Sequence, residues 1–211
     1  MTASPRVDGR RERSRRTRAR IVQAASELFV DDGYVATTIE AIAERAEVAT
    51  QTVYYVFGTK ADILTAVLEA SIVGDLDRVP LAERGWVETL GDVEDAATAV
   101  EQLVAGSVQV LVRVAPIYRV TQRAAADPDV RGLLEETRRR RRVDQRRLID
   151  VVVAFGQLRP DVDPDTAADV YYALINEDVF ELLTIDCGWD VERFQDWATA
   201  LLRHQILGAG A

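Results

Sequence analysis

Apolar residues recur at helical spacing along nearly the whole chain and alternate nowhere, which confines it to an all-α fold. The tightest constraint comes from residues 37–64, TTIEAIAERAEVATQTVYYVFGTKADIL. Two capping boxes bracket this stretch. Thr37 and Glu40 form T-x-x-E ahead of the inner face Ile39, Ile42, Ala43 and Ala46. Thr59 and Asp62 form T-x-x-D, with Lys60 at the first helical position. Between them a break at Glu47-Val48 separates two short amphipathic segments. The second covers about 49–55 and is pinned by Val53, Val56 and Phe57.

Helical signals continue on both sides. Ile21, Ala24, Ala25, Leu28 and Phe29 mark the buried stripe of a first helix over about 15–31, with Gly33 placed to cap it in the left-handed conformation. A fourth helix runs from Lys60 to about Ser71. Residues 74–92 contain Gly74, Pro80, Gly85 and Gly91 and read as a loop-rich connection, with one helical turn expected at 81–86. A long helix over 93–114 is expected to end or kink at Pro116, before a short one over 117–125. Asp127-Pro128 and Asp163-Pro164 each place a cap before a first-turn proline, opening helices to about 155 and about 186. Gly188 stops the latter, and Asp190 caps a last helix ending near Leu207. The total is nine or ten helices and no sheet.

Charge is distributed unevenly. The chain carries a net −9, yet residues 1–20 hold eight arginines against Asp8 and Glu12, a net of +6. Residues 61–211 carry −11. A basic head on an acidic body fits a nucleic-acid-binding domain joined to a different module. Residues 1–14 lack an apolar period and read as a disordered Arg-rich arm, placed to follow phosphates or enter a minor groove. No unbroken run of 18 apolar residues marks a membrane span, and no apolar segment follows the N-terminal charges as in a secretory signal. Cys187 is the only cysteine and His204 the only histidine, and neither has a local catalytic partner. No phosphate-binding glycine pattern is present either. The reading is a cytoplasmic protein that is not an enzyme, with no metal and no cofactor. The arginine run 138–142, with Arg146 and Arg147, alternates with carboxylates and reads as a solvated, salt-bridged face.

Two short helices across a tight break suit a helix-turn-helix. Its second helix needs an apolar inner side and hydrogen-bonding groups outside, because base edges offer donors, acceptors and the thymine methyl. Thr50, Gln51, Thr52 and Tyr55 supply that outer side. Gln51 can both donate and accept toward adenine. Tyr54 and Tyr55 can each place a hydroxyl on a phosphate, and Tyr54 can equally serve the core. Thr38 and Lys60 stand at helix N-termini, where an anion is favoured.

The same residues resemble the N-terminal domain of TetR-family transcriptional regulators. The resemblance covers about 15–65 and is carried by Gly33, Tyr34, Thr37, Thr38, Ile39, Ile42, Ala43, Ala46, Val48, Thr52, Val53, Tyr54, Tyr55, Phe57, Lys60, Ile63 and Leu64. It implies DNA contacts at Thr38, Thr50, Gln51, Thr52, Tyr54, Tyr55 and Lys60. Two departures stand out. Glu47 occupies the turn where the family usually has glycine, and Ala49 the cap where serine is common.

The resemblance further implies a helical ligand-binding and dimerisation domain over 66–211, and a homodimer paired through the last two helices. Tyr171, Leu174, Ile175, Phe180, Leu182, Leu183, Phe194, Trp197, Leu201, Leu202 and Ile206 give those helices more apolar area than one side needs. An effector pocket would draw polar groups from Arg113, Tyr118, Gln122, Asn176 and Glu177, with Trp86 and Phe180 as walls. The expected function is a sequence-specific repressor of a double-stranded DNA operator, released by an unidentified small effector. The alternative is an activator, or a ligand-binding helical module without that role.

Overall fold

The structure is a computed structural model that describes residues 5–74, 87 and 89–208. The described residues form nine α-helices: α1 Pro5–Asp32, α2 Ile39–Arg45, α3 Thr50–Phe57, α4 Lys60–Val73, α5 Ala96–Arg123, α6 Pro128–Val153, α7 Pro164–Leu174, α8 Glu177–Glu181 and α9 Val191–Ile206. Among them there is no strand. A lone antiparallel bridge pairs Leu158 with Leu207. The expected all-α architecture and helix number are observed. The expected turn at 81–86 lies outside the described residues.

Two compact units divide the chain. The first comprises residues 1–71 and 116–134, the second 72–115 and 135–211. Residues 116–134, read from sequence as part of the C-terminal domain, thus cluster with the N-terminal helices. In the first unit Ile21, Ala25 and Phe29 of α1, Ile42 of α2, Val53 of α3, and Ile63 and Leu64 of α4 are all fully buried. Each of these side chains larger than alanine contributes about 1.5–3 kcal/mol on burial, enough for short helices to hold one geometry. In the second unit Leu103, Val104, Leu148, Ile149, Val152, Tyr171, Phe194 and Leu202 form the centre. There the buried Tyr171 hydroxyl meets Ser107 Oγ at 2.7 Å, which satisfies both groups.

Three boundaries depart from the sequence reading. α1 begins at Pro5, so residues 5–14 are helical and not an irregular arm. Glu12 supports that extension by pairing with Arg15 and Arg16 at one-turn spacing. Pro116 neither ends nor divides α5, which runs through it. The carbonyl the proline leaves unbonded belongs to Val112, on an exposed side where water can serve it. The helix expected over 164–186 breaks at Ile175-Asn176. Asn176 takes extended φ/ψ of −147° and 164°, and its Oδ1 accepts from Val179 N–H at 2.9 Å, capping α8 afresh. One π turn, Leu182–Asp186, follows.

By length and composition α5 could cross a membrane, with a mean hydropathy of 1.4 over its most apolar window. Of that window 61% is buried inside the protein, as in a core helix.

Candidate nucleic-acid interface

The second capping box forms as expected: Thr59 N–H donates to Asp62 Oδ2 and Asp62 N–H to Thr59 Oγ1, each at 3.1 Å. The first is displaced by one residue. Thr38, not Thr37, caps α2 by accepting from Ala41 N–H at 3.1 Å. Thr37 turns inward and donates to the carbonyls of Leu28 and Gly33. A buried hydroxyl needs a partner, and the end of α1 supplies two.

The turn between α2 and α3 is closed by two bonds. Val48 N–H donates to Ala43 O and Glu47 N–H to Glu44 O, each at 3.0 Å. This left-handed helix stop normally uses glycine at the position held by Glu47. Glu47 has φ of 51°, the sole positive value outside glycine among the described residues. A side chain there costs about 1–2 kcal/mol. Replacing Glu47 with glycine should therefore raise the thermal midpoint by about 2–4 °C for each kcal/mol recovered, which calorimetry would measure.

α3 packs Val53 inward with no exposure and turns the predicted readers out. Gln51 is exposed, Tyr55 is 88% exposed and Tyr54 47%. Thr50 and Thr52 are half-buried at its flanks. Ala49 makes no side-chain cap, so the start of α3 lacks a fastening of its own. Gly58, with φ of 83°, ends the helix. Tyr54 therefore stands at the surface and not in the core.

Lys60, expected at an anion, bonds the protein's own backbone. Its Nζ donates to Tyr34 O at 2.7 Å and Thr37 O at 2.9 Å, and lies 4.4 Å from the Tyr34 ring centroid. Burial pulls its pKa below the usual lysine value, against the charge of Asp127. Burial likewise pushes Tyr34 up, with Asp127 and Asp129 adding to it. Two of the three N–H groups of Lys60 thus hold the α1–α2 loop, leaving one for an anion.

The residues expected to line an effector pocket divide between the units. Tyr118 is buried and Gln122 half-buried in the first. Arg113, Asn176, Glu177 and Phe180 belong to the second. Arg113 is exposed, with its guanidinium close against Gly74. Phe180 packs edge-on to Phe194 at 5.0 Å. Trp86 lies outside the described residues.

Glu177 is buried and pairs with Arg141. Arg141 is the exception in the arginine run. Its neighbours Arg139, Arg140, Arg142, Arg146 and Arg147 form the expected surface ion pairs. Arg141 instead turns inward beneath the Tyr172 ring at 4.5 Å. One turn on, Gln145 donates to Ile175 O at 2.7 Å, at the helix break. Arg141 Nε and Gln145 Oε1 are buried without a hydrogen-bond partner. Sequence reasoning missed Arg141, Gln145 and Tyr172. The signal was spacing, since 141 lies seven residues from both Leu134 and Leu148 on the apolar stripe of α6.

Of the surplus apolar residues on the last helices, Tyr171, Ile175, Phe180, Phe194, Leu202 and Ile206 are buried within the chain. Leu182 is 53% exposed and Ile185 56%, while Leu174, Leu183, Trp197 and Leu201 are half-buried.

Residues 21–67 match the family model described as bacterial regulatory proteins, tetR family. Over 143 residues the chain is 32% identical to the HTH-type transcriptional regulator HbdR of an Aromatoleum strain, covering 68% of this chain and 60% of that one. It is 25% identical over 169 residues to the HTH-type regulator YdeS of Bacillus subtilis, covering 78% and 79%. The fold is similar to that of a transcriptional regulator from Saccharomonospora viridis in complex with choline, at a TM-score of 0.69 and 24% identity over 91% of this chain and 98% of that one.

Proposed function

Since the chain belongs to the TetR family of DNA-binding transcriptional regulators, we propose that it acts as a homodimeric repressor whose hold on its operator is loosened by a small molecule. The observation that carries this reading is α3: Gln51 and Tyr55 stand exposed on a helix whose opposite side, Val53, is locked in the core. Gln51 and the flanking threonines meet base edges, while Tyr54, Tyr55, Thr38 and the remaining N–H of Lys60 meet phosphates. Two copies pair through α7–α9, where Leu182, Ile185 and Trp197 find the cover they lack in one chain. The protein works in the cytoplasm, where its operator is.

The effector binds in the second unit. Arg141 Nε offers a donor and Gln145 Oε1 an acceptor, both desolvated, which suits a guest bearing a hydroxyl, carboxylic acid or amide. Choline bound to the Saccharomonospora viridis regulator supports a small polar guest for this fold. Release follows from differential affinity: the ligand favours a state in which the recognition helices no longer match one turn of DNA, about 34–36 Å. A labelled duplex selected from genomic fragments, titrated with and without each small molecule that calorimetry finds to bind, tests this. A drop in operator affinity of about tenfold or more is expected, equivalent to about 1.4 kcal/mol of coupling. Operator affinity indifferent to a bound molecule would overturn release and leave DNA binding standing.

A further inference from the structure

We propose that Arg20 is a positioning residue that sets the recognition helix by clamping the strained turn before it, and takes no part in holding phosphates. The proposal rests on the reading of α3 as the base-reading helix. Eight arginines crowd residues 1–20, and composition alone counts them together as one basic head. The structure sets Arg20 apart from the rest. Its Nε donates to Ala46 O at 2.9 Å, and its Nη2 donates to Ala46 O and to Glu47 O, the latter at 2.6 Å. These are the C-cap carbonyl of α2 and the carbonyl of the left-handed residue itself.

The chemistry explains why an arginine is needed. The last carbonyls of a helix have no intrahelical donor, and a planar fork can serve two of them together. Glu47 bears a side chain where the backbone prefers glycine, so this turn has more to gain from an external hold than a glycine turn would. Ala49 provides no side-chain cap, so apart from backbone bonds the entry of α3 has no fastening of its own. At the other end of α3 the guanidinium of Arg18 sits 4.4 Å from the Phe57 ring centroid. α1 therefore holds both the turn that leads into α3 and the last residue of α3, and the attitude of Gln51 and Tyr55 follows from it. Nε and Nη2 are committed to carbonyls, and the contribution of Arg20 to DNA binding is geometric.

The test uses the full-length protein and a duplex selected by it from genomic fragments. Arg20→Ala should weaken binding by about 10–100-fold while the slope of log affinity against log salt stays unchanged, because no phosphate contact is lost. Arg20→Lys should not restore binding, since a point charge cannot fork across two carbonyls. Adding Glu47→Gly to Arg20→Ala should recover more affinity than Glu47→Gly gains in the wild type, and more than Glu47→Gln recovers, which removes the charge without relaxing the backbone. In the free protein, amide exchange at Glu47 and Val48 should accelerate in Arg20→Ala. If Arg20→Ala does not fold, Arg20→Gln replaces it. A salt slope reduced by about one, with rescue by lysine and unchanged amide exchange, would overturn the clamp in favour of a phosphate contact. Failure of the wild type to select any duplex would overturn the base-reading role of α3, and the exchange measurement would still decide the clamp.

Discussion

Arg141→Ala should lower stability by about 3–5 kcal/mol, a urea midpoint shift of about 1–2 M at an m of about 2–3 kcal/mol/M. The variant strands Glu177, buried at the first position of α8, with no guanidinium to answer it. Exchanging both partners for apolar residues, Arg141→Met with Glu177→Leu, should be close to neutral, because desolvation of both charges is removed together. The pair is therefore a weak source of net stability. Acidity sharpens the distinction. Burial holds the Glu177 carboxyl above its ordinary value of 4.5, against the pull of Arg141. Folding thus favours the protonated form. That contribution is complete below the unfolded pKa and fades as pH rises through the folded one. Glu177→Gln should flatten this component, read as stability measured by urea from pH 4.5 upward. Unaltered stability in Arg141→Ala would mean the carboxylate reaches water or another cation.

The second large effect concerns recognition. Gln51→Ala should reduce affinity for the selected duplex by about 5–150-fold, the worth of one two-pronged base contact at about 1–3 kcal/mol. It should also relax preference at one base position and leave the salt slope intact. Tyr55→Phe should instead weaken all duplexes alike, having lost a phosphate hydroxyl. Gln51 and Tyr55 are exposed, so circular dichroism and the thermal midpoint should not move in either variant. Full affinity in Gln51→Ala would remove it from base reading.

Much of the helical order was legible because it depends on local chemistry. Asp163, Asp190 and Thr59 cap where their spacing to the next apolar stripe says they should. Gly33 and Gly188 take the left-handed conformation at the helix ends they were read to mark. The illegible features depend on neighbours distant in sequence. The break at Asn176 was not read: its cap on Val179 N–H is local, but the Gln145 bond to the carbonyl of Ile175 beside it comes from 30 residues away. Arg141 lay within a run of like residues, so only its period along α6 distinguished it. Lys60 was read only as a phosphate contact, because the two carbonyls that hold it belong to a loop more than twenty residues away. The clamp at Glu47 was hidden for the same reason, although the unusual residue in the turn was plain.

The cationic side of the chain is almost wholly guanidinium: Lys60 is its single amine among 26 lysines and arginines. Guanidinium does not shed its proton in the range where proteins stay folded. The positive charge of the α1 arginines is therefore constant from mild acid to strong alkali. In the proposed grip on a duplex, Lys60 is the one cation whose charge can change, and burial already pulls its pKa below the usual lysine value.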